Sequence, residues 1–302
     1  MDAQAQEYDR FGPWAIEISD EDPPPPLFEP YLTRAEPALL SVKIPRHIER
    51  RAARPGTDLY DYLISLYEDD VMILQRVDQE VRSQTCRYQD VQHLCVKRCL
   101  LRGVIHLGLP GRSIDLPYNT VSDKLMQHLA VLVRERYCRE SSSNPSPGTE
   151  PTVAEGELSF YFERLLAAER NQPDMHLLAA QGTVPLEPRS VSAARRLVFG
   201  ITRKRLLESL HLTDGRELKI VDRGKSYAYR WETCYSADTS FIPIANVRAV
   251  TWREDDTNGT TDLILRTGGG EIFHAFAQGN PSIDPYAAFL AALPRIAAVA
   301  ST

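Results

Sequence analysis

Leu59-Tyr-Asp-Tyr-Leu-Ile-Ser-Leu-Tyr67, then Glu68-Asp69-Asp70, then Val71-Met-Ile-Leu-Gln75: this stretch sets the fold class. Two β-rich runs joined by a short acidic turn make a hairpin. Working outward, Arg82–Tyr88, Val91–Val96 and Val104–Leu109 read as further short strands, and Pro110-Gly111 turns the chain into another at Ser113–Leu116. From Ser122, an N-cap residue, Leu125, Leu129, Leu132 and Val133 follow the i, i+4, i+7, i+8 spacing of an amphipathic helix. Several antiparallel strands thus end in one helix.

The order returns further on. A helix-like stretch, Glu157–Arg170, places Leu158, Phe162, Leu165 and Leu166 on one face. Arg205–Leu212, the turn Asp214-Gly215 and Glu217–Val221 form a second hairpin, because Asp-Gly supplies the positive φ angles of tight turns. Ser226–Trp231, Val247–Arg253 and Asp262–Arg266 read as strands, with Asn258-Gly259 as another turn. Gly268-Gly269-Gly270 leads into Glu271–Phe276, and Asp284-Pro285 starts a helix bearing Tyr286, Phe289, Leu290, Leu293 and Ile296. The halves align in rough register, Asp90-Val91 opposite Asn246-Val247, which points to duplication of a domain-length unit.

The chain has 302 residues, 35 basic and 41 acidic, for a formal net charge of −6. Residues 1–36 hold nine acidic and two basic side chains, leaving a nearly neutral remainder, which speaks against nucleic acid as a partner. No apolar run reaches about 18 residues, and the start MDAQAQEYDR lacks the layout of a signal peptide. A cytoplasmic protein without a transmembrane segment is expected, and the 29 Arg against 6 Lys suggest a GC-rich bacterial genome. Five cysteines, an odd number in a long chain, fit reduced thiols.

Residues 1–36 read as an acidic arm carrying Pro23-Pro24-Pro25-Pro26, with Phe11, Trp14, Leu27, Phe28 and Tyr31 available for burial. The arm is expected to dock in cis near the cluster Lys43 to Arg54, marginally and displaceably. Residues 37–140 form the first domain, 141–156 a linker centred on Ser141–Gly148, and 157–302 the second domain with its leading helix.

The residues just described, the hairpin at Glu68-Asp69-Asp70, Tyr88-Gln-Asp-Val91, the turn Leu109-Pro-Gly-Arg112 and the helix Val121–Arg136, carry a resemblance. Strands closed by one C-terminal amphipathic helix resemble the bacterial pleckstrin-homology-like domains, over residues 37–138 and 174–297. The resemblance implies an α+β, mainly β fold. It would consist of two tandem half-open barrels or sandwiches, each plugged by its helix, in a class that mostly binds and scaffolds. It carries over no inositol-phosphate site, because lipid-binding members place Lys and Arg on the first hairpin, where this chain has Glu68-Asp69-Asp70.

The chemistry-bearing motifs read blandly. Gly224-Lys225-Ser226 resembles the end of a phosphate loop, yet Lys219 stands where that loop needs glycine and a strand follows in place of a helix. His93, Cys95 and Cys99 share strand parity, with Cys86 or His106 as conceivable fourth ligands, but sulfurs four residues apart on a strand lie about 13 Å apart. No metal or cofactor is therefore expected, and the absence of any nucleophile elbow or metalloprotease helix makes a non-enzymatic role the expectation. Two basic clusters remain as candidate binding residues: Arg46, Arg50, Arg51 and Arg54, and Arg195, Arg196, Arg203, Lys204 and Arg205.

These readings converge on a binding or scaffold protein that captures a protein or peptide partner by strand addition at an open sheet edge. The alternatives are an anion- or membrane-surface module using the Arg clusters, and a hydrolase or metal-dependent enzyme; oligomeric state is open. Leu129→Asp is expected to unfold the first domain, because a carboxylate on the buried helix face has neither water nor a counter-charge. Chemical denaturation checks this, an unchanged midpoint being the contrary result.

Overall fold

A computed structural model describes residues 8, 11–48, 53–54, 56–138, 150–154, 156–172, 174–186, 204–293 and 297–301. The strands are β1 (Ile16–Glu17), β2 (Leu40–Pro45), β3 (Tyr60–Leu66), β4 (Asp70–Val77), β5 (Glu80–Arg87), β6 (His93–Cys99), β7 (Arg102–Leu109) and β8 (Arg112–Asn119). Helices α1 (Asp123–Tyr137) and α2 (Phe160–Arg170) precede β9 (His176–Gln181), β10 (Val184–Pro185), β11 (Arg205–Leu206), β12 (Ser209–Thr213) and β13 (Glu217–Asp222). Then come β14 (Tyr227–Ala228), β15 (Ser236–Pro243), β16 (Ala249–Asp255), β17 (Thr260–Thr267), β18 (Gly270–Ala277), α3 (Ile283–Ala291) and β19 (Ala297–Ser301). The fold is mainly β. Its sheets run β1-β2-β3-β4-β5, β10-β11-β14, β8-β7-β6-β15-β13-β12-β9 and β18-β17-β16-β19, and among the described residues none closes into a barrel. No helix among the described residues is long and apolar enough to cross a membrane.

One order of elements occurs twice. Four antiparallel strands, a 3₁₀ turn, three antiparallel strands and a helix appear as β2–β5, Tyr88–Asp90, β6–β8 and α1. They recur as β9, β12, β13 and β15, then Ile244–Asn246, β16–β18 and α3. The second copy also carries β10, β11 and β14 in its connections. Two compact units divide the chain: Met1–Val91 with Arg98–His106 and Ile114–Arg139, and Gln92–Lys97 with Leu107–Ser113 and Glu140–Thr302.

In the first unit the hairpin read from the sequence is β3-β4, with Tyr62 opposite Gln75 and Leu66 opposite Val71. Its inward residues Leu63, Met72 and Leu74 join Leu59, Tyr60 and Tyr67 in a core that also takes Phe11 and Phe28 from the arm. The arm is docked: Ile16 pairs with Lys43 across β1 and β2, and Lys43 Nζ donates to the Pro23 carbonyl at 2.9 Å, 3.8 Å from Asp22. Phe28 is wholly buried and Phe11 nearly so, whereas Trp14 is 44% exposed, so the described part of the arm belongs to the core through its phenylalanines. Helix α1 buries Met126, Leu129, Ala130 and Val133. Ser122 stands at its N-cap, but the hydroxyl donates to the Ala15 carbonyl instead of capping the helix.

In the second unit, β9, β12 and β13 are covered on both faces. Leu158, Phe162 and Leu166, on and just before α2, pack on Leu177, Ala180, Leu210, Leu212 and Val221. The opposite face, with Ala179, Leu218 and Ile220, meets Trp252, Leu263, Leu265 and Phe276 of β16–β18, and α3 adds Tyr286, Phe289 and Leu290. Glu208, itself buried, accepts from Ser159 N and Oγ at the start of α2 and pairs with Arg223.

Several expectations change. Arg205–Leu212 is not one strand: β11 pairs with β10 and β14, whereas β12 pairs with β9 and β13. The stretch Ser226–Trp231 is a strand only at Tyr227–Ala228, because Glu232 Oε2 accepts from Tyr229 N and Lys225 Nζ and folds the chain into a turn. The turn presents Tyr229 stacked on Trp231, 5.0 Å between rings, an alternation of aromatics that resembles a strand without being one. Conversely β15 begins Ser-Ala-Asp-Thr-Ser, a run in which Thr239 alone favours a strand, and it is held by the pairing of Asp238–Pro243 with the full length of β13. The segment Ser141–Gly148 lies outside the described residues.

Phe28→Ala is expected to cost about 3–5 kcal/mol in urea denaturation, the range for emptying a buried aromatic site. A change below about 1 kcal/mol would mean that the arm is a loosely held cover.

Candidate functional site

Strand parity builds the site. Leu210 and Leu212 face α2, so His211 between them must face the other way, where its ring lies 4.9 Å from those of His274 and Phe276 and 5.4 Å from Tyr286. Its Nδ1 and the Tyr286 hydroxyl are 3.3 Å apart, and Nε2 and Ser209 Oγ 3.4 Å. Burial holds the His211 imidazole well below its ordinary range and that of His274 at about 4, so both rings are neutral at neutral pH.

The same parity puts a carboxylate in the inner row. Leu218, Ile220 and Asp222 share one face of β13, and Asp238 lies directly opposite Asp222 on β15. Here the row reaches a pocket of about 160 Å³. Its walls come from Cys95 and Lys97 of β6, Asp222, Gly224-Lys225-Ser226, Asp238 and Ser240 of β15, and Ile272, Phe273 and His274 of β18. Gly224 has φ +72°, and a Cβ there would stand 3.0 Å from Asp238 Oδ2, which is why the turn needs glycine. Its N–H donates to Asp222 Oδ1 at 2.5 Å, while Oδ2 faces His274 Nδ1 across 3.7 Å. With a neutral imidazole that approach is not an ion pair.

Burial raises the Asp222 carboxyl to about 6, more than the Gly224 N–H and Lys97 pull it down. Burial also pushes the Cys95 thiol up to about 12, against a hydrogen bond with Ser240. The thiol is held protonated and the His274 ring neutral, so neither is set up to attack a substrate. The arrangement suits holding a polar ligand better than attacking one.

Few of the sequence-derived candidates meet here. Arg50, Arg51, Arg195, Arg196 and Arg203 lie outside the described residues. Arg46 is half-buried and Arg54 exposed. Lys204 donates to Asn258 Oδ1 and lies over the Tyr227 ring, and Arg205 donates to the Glu232 carbonyl. Of the cysteine–histidine set, Cys95 alone lines the pocket; Cys99 is exposed and His106 lies 2.6 Å from Asp115. Among the described residues no group of three or more His, Cys, Asp or Glu is disposed to hold a metal. Asp222, Asp238, Ser240 and His274 went unread, although the parity of Leu218, Ile220 and Asp222 already turned one carboxylate inward.

Comparison with known protein families finds none that matches the chain, and comparison with curated proteins finds no similar one.

A carboxyl raised in the folded state stabilises that state below its unfolded value of 3.8, and the benefit is lost as pH rises through about 6. At neutral pH the buried charge costs at most about 3 kcal/mol. Asp222→Asn, which keeps an acceptor for Gly224, is therefore expected to raise stability at pH 7.5 by about 1–3 kcal/mol, with the gain fading towards pH 4. Urea midpoints across that pH range measure it. A variant less stable at pH 7.5 would mean that Asp222 is fully compensated.

Proposed function

We propose that the chain is a non-enzymatic binding or scaffold protein, built of two pleckstrin-homology-like halves, that captures an extended peptide by adding it to a sheet edge. The repeated order of strands, 3₁₀ turn, strands and helix supports the tandem reading. The observation that carries the binding mode is the unguarded half of β18.

Edge strands invite pairing and are ordinarily protected by brevity, charge, proline or a covering segment. β1 has two residues, β5 exposes Glu80, Arg82 and Arg87, and β8 carries Pro117. On β9 the Ala180 carbonyl accepts from Asn280 Nδ2, and β16 is covered by β19. The second half of β18 is covered as well, since Ala275 packs with Leu186 and Leu206, and Ala277 N donates to Gln181 Oε1. Over Gly270–Phe273, however, β18 pairs among the described residues with β17 alone, has no proline, and exposes Phe273 to 41%. Ile272, Phe273 and His274 also line the pocket, so main-chain hydrogen bonds would supply affinity and the pocket would receive one side chain.

Panning a displayed random-peptide library on the full chain tests the reading. Successive N–H groups of a strand point to opposite edges, so of Glu271→Pro and Ile272→Pro one removes an outward donor and the other a bond to β17. The outward variant is expected to lose peptide binding while keeping the wild-type denaturation midpoint. Binding that survives both variants, or a library that yields no binder, would overturn the proposal.

A further inference from the structure

We propose that the pocket beside β18 is a receptor for a basic side chain, an ammonium or guanidinium group on an aliphatic stem, carried by the strand that β18 captures. The strand is supplied by the reading above; the pocket chemistry stands independently of it.

The geometry is that of a short polar well with an apolar lip. Asp222 and Asp238 oppose each other across β13 and β15, at the spacing of directly paired residues, about 5 Å. Both side chains line the pocket, so two carboxyl groups stand on one wall of it. Asp222 keeps 16% of its side chain exposed, and its one hydrogen bond to Gly224 uses Oδ1, leaving Oδ2 turned towards His274 at a distance too long for a bond. His274, buried on the same wall, has an Nε2 without a hydrogen-bond partner among the described residues. Ser240 and Cys95 add a hydroxyl and a thiol to the floor, both able to accept from an N–H group. Ile272 and Phe273 form the lip, suited to the methylene stem of Lys or Arg.

The two lysines on the walls do not already fill this role. Lys225 Nζ is held by Glu232 Oε2 at 2.8 Å. Lys97 is exposed on β6 and attracts Asp222 without overcoming its burial. It is a tethered competitor, and removing it should open the well to an external cation. A divalent metal is a poorer fit because among the described residues no three His, Cys, Asp or Glu side chains are disposed to hold one. An anion would face both carboxylates.

The test uses n-butylammonium chloride on the full chain at pH 7.5, with n-butanol and sodium chloride as controls, read by calorimetry and by the denaturation midpoint. Saturable binding of butylammonium alone is expected, weakened about tenfold or more by Asp222→Asn, strengthened by Lys97→Met, and lost near pH 5. Asp222→Asn is expected to be the more stable protein, so its loss of binding cannot be ascribed to unfolding. Equal binding by Asp222→Asn, or equal effects of butanol, would overturn the inference. Two peptides differing only in lysine or norleucine at the central position separate the two readings. If both bind equally and the β18 proline variant abolishes both, strand capture stands and the basic pocket falls. If butylammonium binding needs Asp222 but neither peptide binds, the pocket stands and strand capture falls.

Discussion

Covering both faces of β9, β12 and β13 is the constraint from which the second unit follows. A sheet with one wet face can turn its polar residues outward, whereas here α2 takes one row and the core under α3 the other. Every polar residue in these strands must therefore find a partner inside. His211 answers with Tyr286 and Ser209, Glu208 with Arg223 and Ser159, and Lys219 with Glu169 at 2.6 Å. Asp222 stands where the inner row reaches the open end of the sheet, and it is incompletely answered.

That incompleteness sets the acid–base character of the unit. Buried imidazoles resist protonation in the folded chain, so His211 and His274 weaken the fold as pH falls below the ordinary histidine range. Asp222 acts in the opposite sense over nearly the same interval, regaining stability as it protonates. The two tendencies offset, and a carboxylate that Gly224 and Lys97 compensate only in part persists at neutral pH. Groups held in such a state are found most often where something binds.

Much of the fold was legible because local periodicity and burial agree in it. The β3-β4 hairpin, the turns at Gly215, Gly259 and Gly270, and the apolar faces of α1 and α3 each announce themselves within a dozen residues. The failures are places where a long-range contact overrides local preference: β15 is a strand by virtue of its neighbours, and Tyr229–Trp231 is a turn because of Glu232. The pocket was illegible for a further reason. Its walls come from residues near 95, 222, 238 and 274, joined by sheet order and not by sequence spacing. The Arg clusters were conspicuous in sequence, yet Lys204 and Arg205 are occupied holding Asn258, Tyr227 and Glu232.

The assignment of residues 92–97 and 107–113 to the unit completed by 140–302 has a consequence for synthesis. β6 neighbours β15, so a segment made early must wait for one about 140 residues later in the chain. At a ribosomal pace of about 5–20 residues per second this is a delay of roughly 7–30 s. During that interval the first β-rich stretch has left the tunnel with strand edges uncommitted, a window in which a nascent-chain chaperone or a misplaced neighbouring strand competes for them. The two sequence halves consequently cannot mature one after the other as beads on a string; the second must arrive before the first is finished.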